Sequence, residues 1–301
     1  MLLRSFGVGG VGVAAGTVLT SLPDRVRDVG ALAQIVGARR RVRKGACGTR
    51  TKERGSEFVD GEDSDVRAQI KEKQEVAKGT LLVTFDLLGE AVEFTPGQYF
   101  FVTLPSVGEE DDKGLRRHIT VVTSPNEKGL LGFATRMRDS AFKRTLRALP
   151  VGSEVEVEPP KGKFALPEDP SRRLVFVAGG IGITVFRSML RYISEERLPY
   201  RVTLIYSNRD RESTAFLDEL RELEQTLPDF RLILTMTQDP GWKGEARKVD
   251  GDFVQDYLGD DLNRYTFLVA GPPAMAEGVQ TALQEAGVLD ENLIAERYSG
   301  Y

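Results

Sequence analysis

The sequence predicts a β + α/β fold, with an N-terminal antiparallel β-barrel over residues 67–168 followed by a parallel-sheet α/β domain over residues 170–301. Two patterns indicate this fold. The first part consists of short, alternating, β-rich runs separated by glycine and proline turns, as in a small antiparallel barrel. In the second part, apolar runs alternate with helical stretches, which implies a parallel sheet with helices on both faces.

The predicted barrel contains six strands and one helix. The strand runs cover residues 66–76, 79–88, 97–105, 116–125, 130–138 and 153–160. The one stretch of this part with helical periodicity is 141–149, and Ser140 is a suitable N-cap residue for it. The segment 166–173 follows, with the prolines and charges of an interdomain linker.

The predicted α/β domain contains four apolar strands and four helices. The strand runs cover residues 174–180, 202–208, 232–238 and 265–271. The helical stretches cover residues 184–196, 213–226, 250–258 and 272–286. Each strand is therefore followed by a helix, as the crossover connections of a parallel sheet require.

The first 66 residues differ from the rest and are predicted to form a poorly structured arm or an anchor. Residues 5–20 are apolar but rich in glycine, and they are short for a membrane helix, which needs about 20 apolar residues. The basic run 39–44 suits either a contact with anionic lipid or a solvated arm. Membrane contact through residues 1–44 thus stays open, while the expected location of the chain is cytoplasmic.

Composition excludes several kinds of chemistry. The 301 residues have a net charge of −4, and residues 67–301 carry 30 basic and 37 acidic side chains, which argues against a nucleic-acid-binding surface. Cys47 is the only cysteine and His118 the only histidine, so an internal disulfide, a four-thiolate cluster and a two-histidine metal site are all excluded. No metal site is predicted, and redox chemistry would require an organic cofactor.

Two glycine turns follow predicted strands of the α/β domain, GGIGIT at 179–184 and GPPAM at 271–275. Glycine lets the backbone approach a ligand, and a helix N-terminus offers N–H groups to phosphate, although a tight turn without a ligand is the alternative. Because both turns end strands of one sheet, they are expected to form two walls of one nucleotide crevice. A third strand ends at Ser207 and Arg209, a pair that favours the 2′-phosphate of NADPH unless Arg209 is a solvated turn residue.

Basic and hydroxyl side chains also converge in the predicted barrel. Arg116 and Arg117 precede Thr120 on one strand, and the segment 135–142 joins another strand to the predicted helix. Arginine forks and a helix N-terminus both bind phosphate well. The arrangement favours an anion site over arginines on a solvated strand face.

Four segments in combination resemble the ferredoxin–NADP reductase family of flavoproteins. RHIT at 117–120 resembles the family's Arg-x-Tyr-Ser/Thr flavin motif, and GGIGIT resembles its nicotinamide-nucleotide turn. GPPAM is similar to the Cys-Gly-Pro-Pro-x-Met segment, and ERYSGY at 296–301 is similar to the acidic–aromatic tail near the flavin. The resemblance covers about residues 67–301.

The resemblance implies an FAD site in the barrel and an NAD(P)H site in the α/β domain. The implied FAD-binding residues are Arg117, His118, Ile119, Thr120, Thr135, Arg136, Met137, Ser140, Ala141, Phe142 and Tyr301. The NAD(P)H crevice would be lined by Gly180, Gly182, Thr184, Gly271, Pro272 and Met275, with Ser207 and Arg209 from the third strand end. Residues placed at the flavin–nicotinamide junction, and therefore expected to be catalytic, are Thr120, Glu296 and Tyr298.

The sequence departs from the family pattern at three positions. Ile119 stands where a tyrosine usually stacks on the flavin, Ala270 replaces the cysteine, and Val185 replaces the proline after the GGIGIT turn. None of these changes removes a group that hydride transfer requires, because the cofactors carry the chemistry and the protein orients them.

The implied function is that of a flavoprotein reductase, which transfers a hydride from NADPH or NADH to FAD and passes electrons to a separate acceptor. That acceptor would be a ferredoxin, a flavodoxin, an oxygenase component or a small molecule, since residues 67–301 lack the cysteines of an iron–sulfur domain. Two alternatives remain open. One is a non-catalytic or complex-dependent electron-transfer subunit, suggested by Ile119 and Ala270, and the other is a membrane-tethered reductase of a quinone or cytochrome.

Overall fold

Residues 65–108 and 111–298 are described by the computed structural model of the chain. Residues 1–64 of the predicted arm, with Cys47, and Tyr301 lie outside the described residues, whereas Val66, the last residue of that predicted arm, already belongs to the first strand. The described residues belong to one compact unit, Val59–Tyr301. Within the described ranges, no helix combines the length and the apolar character that crossing a membrane requires.

The first sheet has six antiparallel strands, and each of them falls within a predicted barrel run or overlaps it closely. The strands are β1 (Val66–Ala77), β2 (Thr80–Asp86), β3 (Tyr99–Thr103), β4 (Arg116–Thr120), β5 (Leu130–Arg136) and β6 (Glu154–Val157). Their order across the sheet is β4-β3-β6-β1-β2-β5. Just beyond the end of β4, the backbone N–H of Val122 donates to the carbonyl oxygen of Gly132 in β5 at 2.9 Å, so the two edges of the sheet meet.

The predicted barrel helix is α1 (Ala141–Ala148). Its N-cap is Ser140, as predicted, and the Ser140 side chain accepts the backbone N–H of Lys143 at 3.3 Å. At the other end, Nζ of Lys73 in β1 donates to the carbonyl oxygens of Arg147 and Leu149 at 3.1 and 2.5 Å. Both ends of this short helix are therefore held by side chains.

The second sheet has five parallel strands, one more than predicted. The strands are β7 (Arg173–Gly179), β8 (Arg201–Asn208), β9 (Phe230–Met236), β10 (Tyr265–Gly271) and β11 (Leu293–Arg297), in the order β11-β10-β7-β8-β9. The direction in which strands are added reverses between β7 and β10. Such a switch point leaves a crevice at the carboxyl ends of the two strands.

Helices cover both faces of this sheet, as predicted. The helices are α2 (Ile183–Glu195), α3 (Leu217–Thr226), α4 (Gly251–Leu258) and α5 (Pro273–Glu285). Successive residues of β7 alternate between the two cores: Phe176 packs with the cluster of α2 and α3, whereas Val175 and Val177 pack with the cluster of α4 and α5. All three side chains are fully buried, which explains the continuous apolar run of this strand.

Two details of the α/β part differ from the predictions. Helix α3 begins at Leu217 instead of residue 213, because the hydroxyls of Ser213 and Thr214 donate to the carbonyl oxygen of Asp210 and Phe216 adopts a left-handed φ of 59°. The unpredicted strand β11 is an edge strand of five residues with a half-exposed pattern, so its composition lacked the apolar run of the other four.

Helix α2 joins the two sheets through hydrogen bonds to the chain that follows β4. Nη1 of Arg187 donates to the carbonyl oxygen of Val122 at 2.9 Å, and Oγ of Ser188 donates to that of Thr123 at 2.6 Å. The guanidinium of Arg187 is buried and also pairs with Glu219 at 2.8 Å. The two sheets are thus tied together at the helix that follows the GGIGIT turn.

We expect Arg187→Met to lower the free energy of unfolding by about 2–4 kcal/mol, because it leaves a buried carbonyl and a carboxylate without their donor. Arg191→Met is the matched control on the same helix. Arg191 pairs with Glu127 and Glu195 at the partly exposed surface, so its removal should cost less than about 1 kcal/mol. Chemical denaturation measures the free energy of unfolding of both variants. Equal losses of stability would show that the buried hydrogen bond of Arg187 contributes no more than the surface ion pairs of Arg191.

Candidate functional site

A cavity of about 860 Å³ opens where β3, β4, the start of α1 and the C-terminal strand meet. This volume lies within the range of ligand-binding clefts. The predicted site residues that line it are Arg117, His118, Ile119, Thr120, Thr135, Ser140, Phe142, Glu296 and Tyr298. The structure therefore brings together residues that are separated by up to 181 positions in the sequence, from Arg117 to Tyr298.

One end of the cavity has the donors of an anion site. Nη1 of Arg117 donates to the carbonyl oxygens of Lys113, Gly114 and Arg116 at 2.7–2.9 Å, which fixes the guanidinium. Nη2 of Arg117 is buried and makes no hydrogen bond. The N-terminus of α1 lies beside it, since the ring of Phe142 is 5.4 Å from the Arg117 guanidinium carbon. A buried donor next to a helix N-terminus suits a phosphate.

Positive charge is concentrated at this end. Lys143 lines the cavity one turn into α1, and its burial lowers the pKa of the ammonium group. The charges of Arg138 and Arg117 act in the same direction on that pKa. Because these cations repel one another, the binding of an anion among them is electrostatically favourable.

The middle of the cavity is lined by one face of the β3–β4 ladder. Tyr99 pairs with Thr120 and Phe101 pairs with His118, so these four side chains share a face. Tyr99 and Phe101 were not among the predicted site residues. They could have been predicted from their spacing, because two residues that are two positions apart on a strand place their side chains on the same face.

Ile119 points mainly the other way. It is 9% exposed and belongs to the barrel core, where it pairs with Phe100, although it reaches the cavity wall. No aromatic ring comes from position 119, and the aromatic residues that line the cavity are Tyr99, Phe101, His118, Phe142 and Tyr298.

The far end of the cavity is formed by strand β11 and the residue after it. The hydroxyl of Tyr298 donates to Oε2 of Glu296 at 3.3 Å. Burial raises the pKa of the Glu296 carboxyl, while the Tyr298 hydrogen bond opposes that rise. The backbone N–H of Tyr298 donates to the carbonyl oxygen of Gly271 at 3.0 Å, which ties this wall to the GPPAM turn.

The two glycine turns meet at the switch point, as predicted. A Cβ on Gly182 would lie 2.2 Å from the carbonyl oxygen of Ala270, so only glycine fits there. Gly180 has φ +51°, and Met275 packs its sulfur on the backbone of Gly179 and Gly271. The turns therefore form adjoining walls at the carboxyl ends of β7 and β10.

The other residues predicted to line the crevice lie near this edge of the sheet, and they differ in solvent exposure. Thr184 is buried, and its hydroxyl donates to the carbonyl oxygen of Ile181 at 3.0 Å, which fixes the turn. Pro272 is exposed at the start of α5. Ser207 is half-buried at the end of β8, and Arg209 is exposed just beyond it. The neighbouring Arg211 is instead paired with Asp239 at 2.7 Å.

Arg136 and Met137 do not line the cavity. Nη2 of Arg136 donates to the carbonyl oxygen of Ser213 at 3.1 Å, and its guanidinium lies against Gly180 of the nucleotide turn. Met137 donates its backbone N–H to Gly79 at 2.8 Å. Ala141 is fully buried, and its backbone N–H faces Asp111. The sequence predicted the strand that ends at Arg136, but it could not show that the Arg136 side chain points toward the α/β part.

Metal-binding groups are absent from the described part of the chain, which contains no cluster of three or more His, Cys, Asp or Glu side chains suited to a metal ion. The remaining charged residues of the cavity wall include Lys113, Asp139 and Arg297.

Two family models match the chain. An oxidoreductase FAD-binding domain matches residues 67–166, and an oxidoreductase NAD-binding domain matches residues 176–281. Together they account for nearly all of the described residues, with the first sheet in one model and most of the second sheet in the other.

Curated relatives include reductases and reductase components. Terephthalate 1,2-dioxygenase reductase component 1 of Comamonas sp is 26% identical over 215 residues, which cover 70% of this chain and 61% of that protein. NADH-cytochrome b5 reductase 1 of Aspergillus terreus is 25% identical over 232 residues, covering 72% of this chain and 76% of that protein. The chain thus spans less than two thirds of the dioxygenase reductase component.

Solved structures share the fold. The cytochrome b5 reductase domain of Ulva prolifera nitrate reductase superposes with a TM-score of 0.68 at 20% identity, covering 77% of this chain and 97% of that one. The predicted order of an antiparallel sheet followed by a parallel α/β sheet is confirmed by this likeness and by the observed topology.

We expect Gly182→Ala to lower the free energy of unfolding by at least about 1–3 kcal/mol, because its Cβ would overlap the backbone of Ala270. Gly278→Ala is the matched control. It lies in α5 with no atom within 4 Å of the added carbon, so it should stabilise the chain by about 0.5–1 kcal/mol. Thermal or denaturant unfolding measures both, and a neutral Gly182→Ala would disprove the close contact.

Proposed function

The chain belongs to the ferredoxin–NADP reductase-like family of FAD- and NAD-binding oxidoreductases, and from this premise we propose that it is a flavoprotein reductase that takes electrons from NAD(P)H and delivers them to a separate acceptor. The proposal rests on one observation, which is that the cavity and the switch-point crevice adjoin. Glu296 and Tyr298 line the cavity, and Tyr298 is hydrogen-bonded to Gly271 at the crevice.

The cavity fits FAD. The buried Nη2 of Arg117, which makes no hydrogen bond, and the N-terminus of α1 would hold its pyrophosphate, and Lys143 would add a further charge. Thr120, Thr135 and the aromatic side chains that line the cavity would border the ring system of the flavin. When bound, the flavin supplies the ability to accept a hydride from NAD(P)H and to release electrons to another molecule.

The switch-point crevice fits the nicotinamide nucleotide. Gly180 and Gly182 let the backbone approach the ligand closely, and the N-terminus of α2 lies directly behind them. Arg136, which lies against Gly180, would face the nucleotide phosphates from the barrel side.

The chain's own residues orient the reactants at the junction. Thr120 offers a buried hydroxyl, and Glu296 and Tyr298 hold one another by a hydrogen bond beside the GPPAM turn. Because burial raises the pKa of the Glu296 carboxyl, this pair is the proposed place for a proton near the junction.

The acceptor is proposed to be a separate protein. The dioxygenase reductase component of Comamonas sp is by its name one component of a larger system, which favours an oxygenase component or an electron carrier as partner. The relative named for cytochrome b5 makes a cytochrome the second candidate. A complex-dependent subunit without activity of its own is the competing function.

Reconstitution tests the proposal. The purified chain should take up FAD, show a flavin spectrum and reduce ferricyanide with NADPH or NADH. Failure to bind FAD would contradict the assignment of the cavity. A bound but unreactive flavin would instead favour the complex-dependent subunit.

NADPH is the proposed preferred donor, because Arg209 is exposed beyond β8 at the crevice edge. We expect Arg209→Ala to raise the KM for NADPH several-fold more than the KM for NADH, since only NADPH carries the 2′-phosphate. Arg201→Ala is the control, because Arg201 is exposed at the opposite end of the same strand. Equal effects of Arg209→Ala on the two KM values would remove the basis for this preference.

A further inference from the structure

The carboxylate of Asp111 contacts two donors near the cationic end of the cavity. Its Oδ2 accepts the backbone N–H of Ala141, the first residue of α1, at 3.0 Å. Its Oδ1 lies 3.6 Å from Nη2 of Arg117. Asp111 therefore engages both groups that the proposed function assigns to the FAD pyrophosphate, a helix N-terminus and an arginine fork.

Asp111 is not needed to orient the arginine. Three backbone carbonyl oxygens already hold Nη1 of Arg117 at 2.7–2.9 Å. The contact between Asp111 and Nη2 of Arg117 is an ion pair without a hydrogen bond, because Nη2 has no acceptor within bonding geometry. Removing the carboxylate would thus leave the guanidinium in place.

The Asp111 carboxylate is both ionised and able to leave. The Ala141 N–H, the Lys113 N–H and the Arg117 charge hold the pKa of Asp111 below its usual value, so the group is an anion at neutral pH. Its side chain is one third exposed, at 33%, so it can rotate out to the solvent when a phosphate takes over the charge of Arg117. A pyrophosphate carries negative charge as well, and the two anions cannot share the same donors without repulsion.

We propose that Asp111 is an affinity-determining residue, an internal anion that occupies the pyrophosphate donors of the FAD-free chain and must be displaced when FAD binds. The inference rests on the proposed function. It implies that the binding-competent fraction of the free chain is limited by Asp111, so the apparent Kd for FAD is raised and association is slowed, while dissociation is unaffected.

Binding of FAD to the full apo-chain tests this inference. Flavin fluorescence gives the Kd, and stopped-flow mixing gives the association and dissociation rate constants. Asp111→Asn keeps the shape of the side chain but removes its charge, and we expect it to lower the Kd roughly three- to tenfold, almost entirely through faster association. Asp112→Asn removes the neighbouring exposed charge and should change neither rate.

Riboflavin serves as the probe without a pyrophosphate, and its affinity should be the same in the wild type and in Asp111→Asn. Asp111→Ala, which also removes the Ala141 hydrogen bond, should give at least the same gain for FAD, and circular dichroism checks that each variant is folded. Weaker or unchanged FAD binding by both Asp111 variants would overturn the inference, as would an equal gain for riboflavin. If neither the wild type nor any variant binds FAD, both the inference about Asp111 and the proposed function are overturned.

Discussion

The contact between α2 and the chain after β4 is the constraint on which the rest of the site depends. Arg187 and Ser188 bind the carbonyl oxygens of Val122 and Thr123, two and three residues after Thr120 of the cavity. The N-cap of the same helix is Gly182, whose close approach to Ala270 sets the distance between the two walls of the crevice. One helix therefore fixes the proposed flavin cavity and the nucleotide turn relative to each other, which is the orientation that hydride transfer between two bound cofactors requires.

Chemistry at this site depends on charge and shape, since residues 67–301 contain no cysteine and a single histidine. Cations gather at one end of the cavity, and the Glu296 carboxyl, whose pKa is raised by burial, lies at the other. Asp111 balances the cationic end in the free chain. A site that carries its own anion offsets the repulsion among its cations before the cofactor arrives, at the cost of slower binding.

Most of the fold follows from periodicity in the sequence, but side-chain direction at the site does not. The alternating and helical patterns predicted every barrel strand and four of five parallel strands, while β11 was missed because an edge strand lacks a continuous apolar run. The RHIT motif predicted where the cavity lies. It could not show that Ile119 turns into the barrel core, or that Arg136 faces Gly180, because those directions depend on strand pairing and on the neighbouring sheet.

The central claim is that one chain holds flavin and nicotinamide in reactive contact. Anaerobic stopped-flow mixing of the FAD-reconstituted chain with NADPH, monitored at the visible flavin band, tests it most directly. The account predicts rapid bleaching of the whole flavin absorbance in the isolated chain, with no other protein present. A bound flavin that stays oxidised with both NADPH and NADH would contradict it.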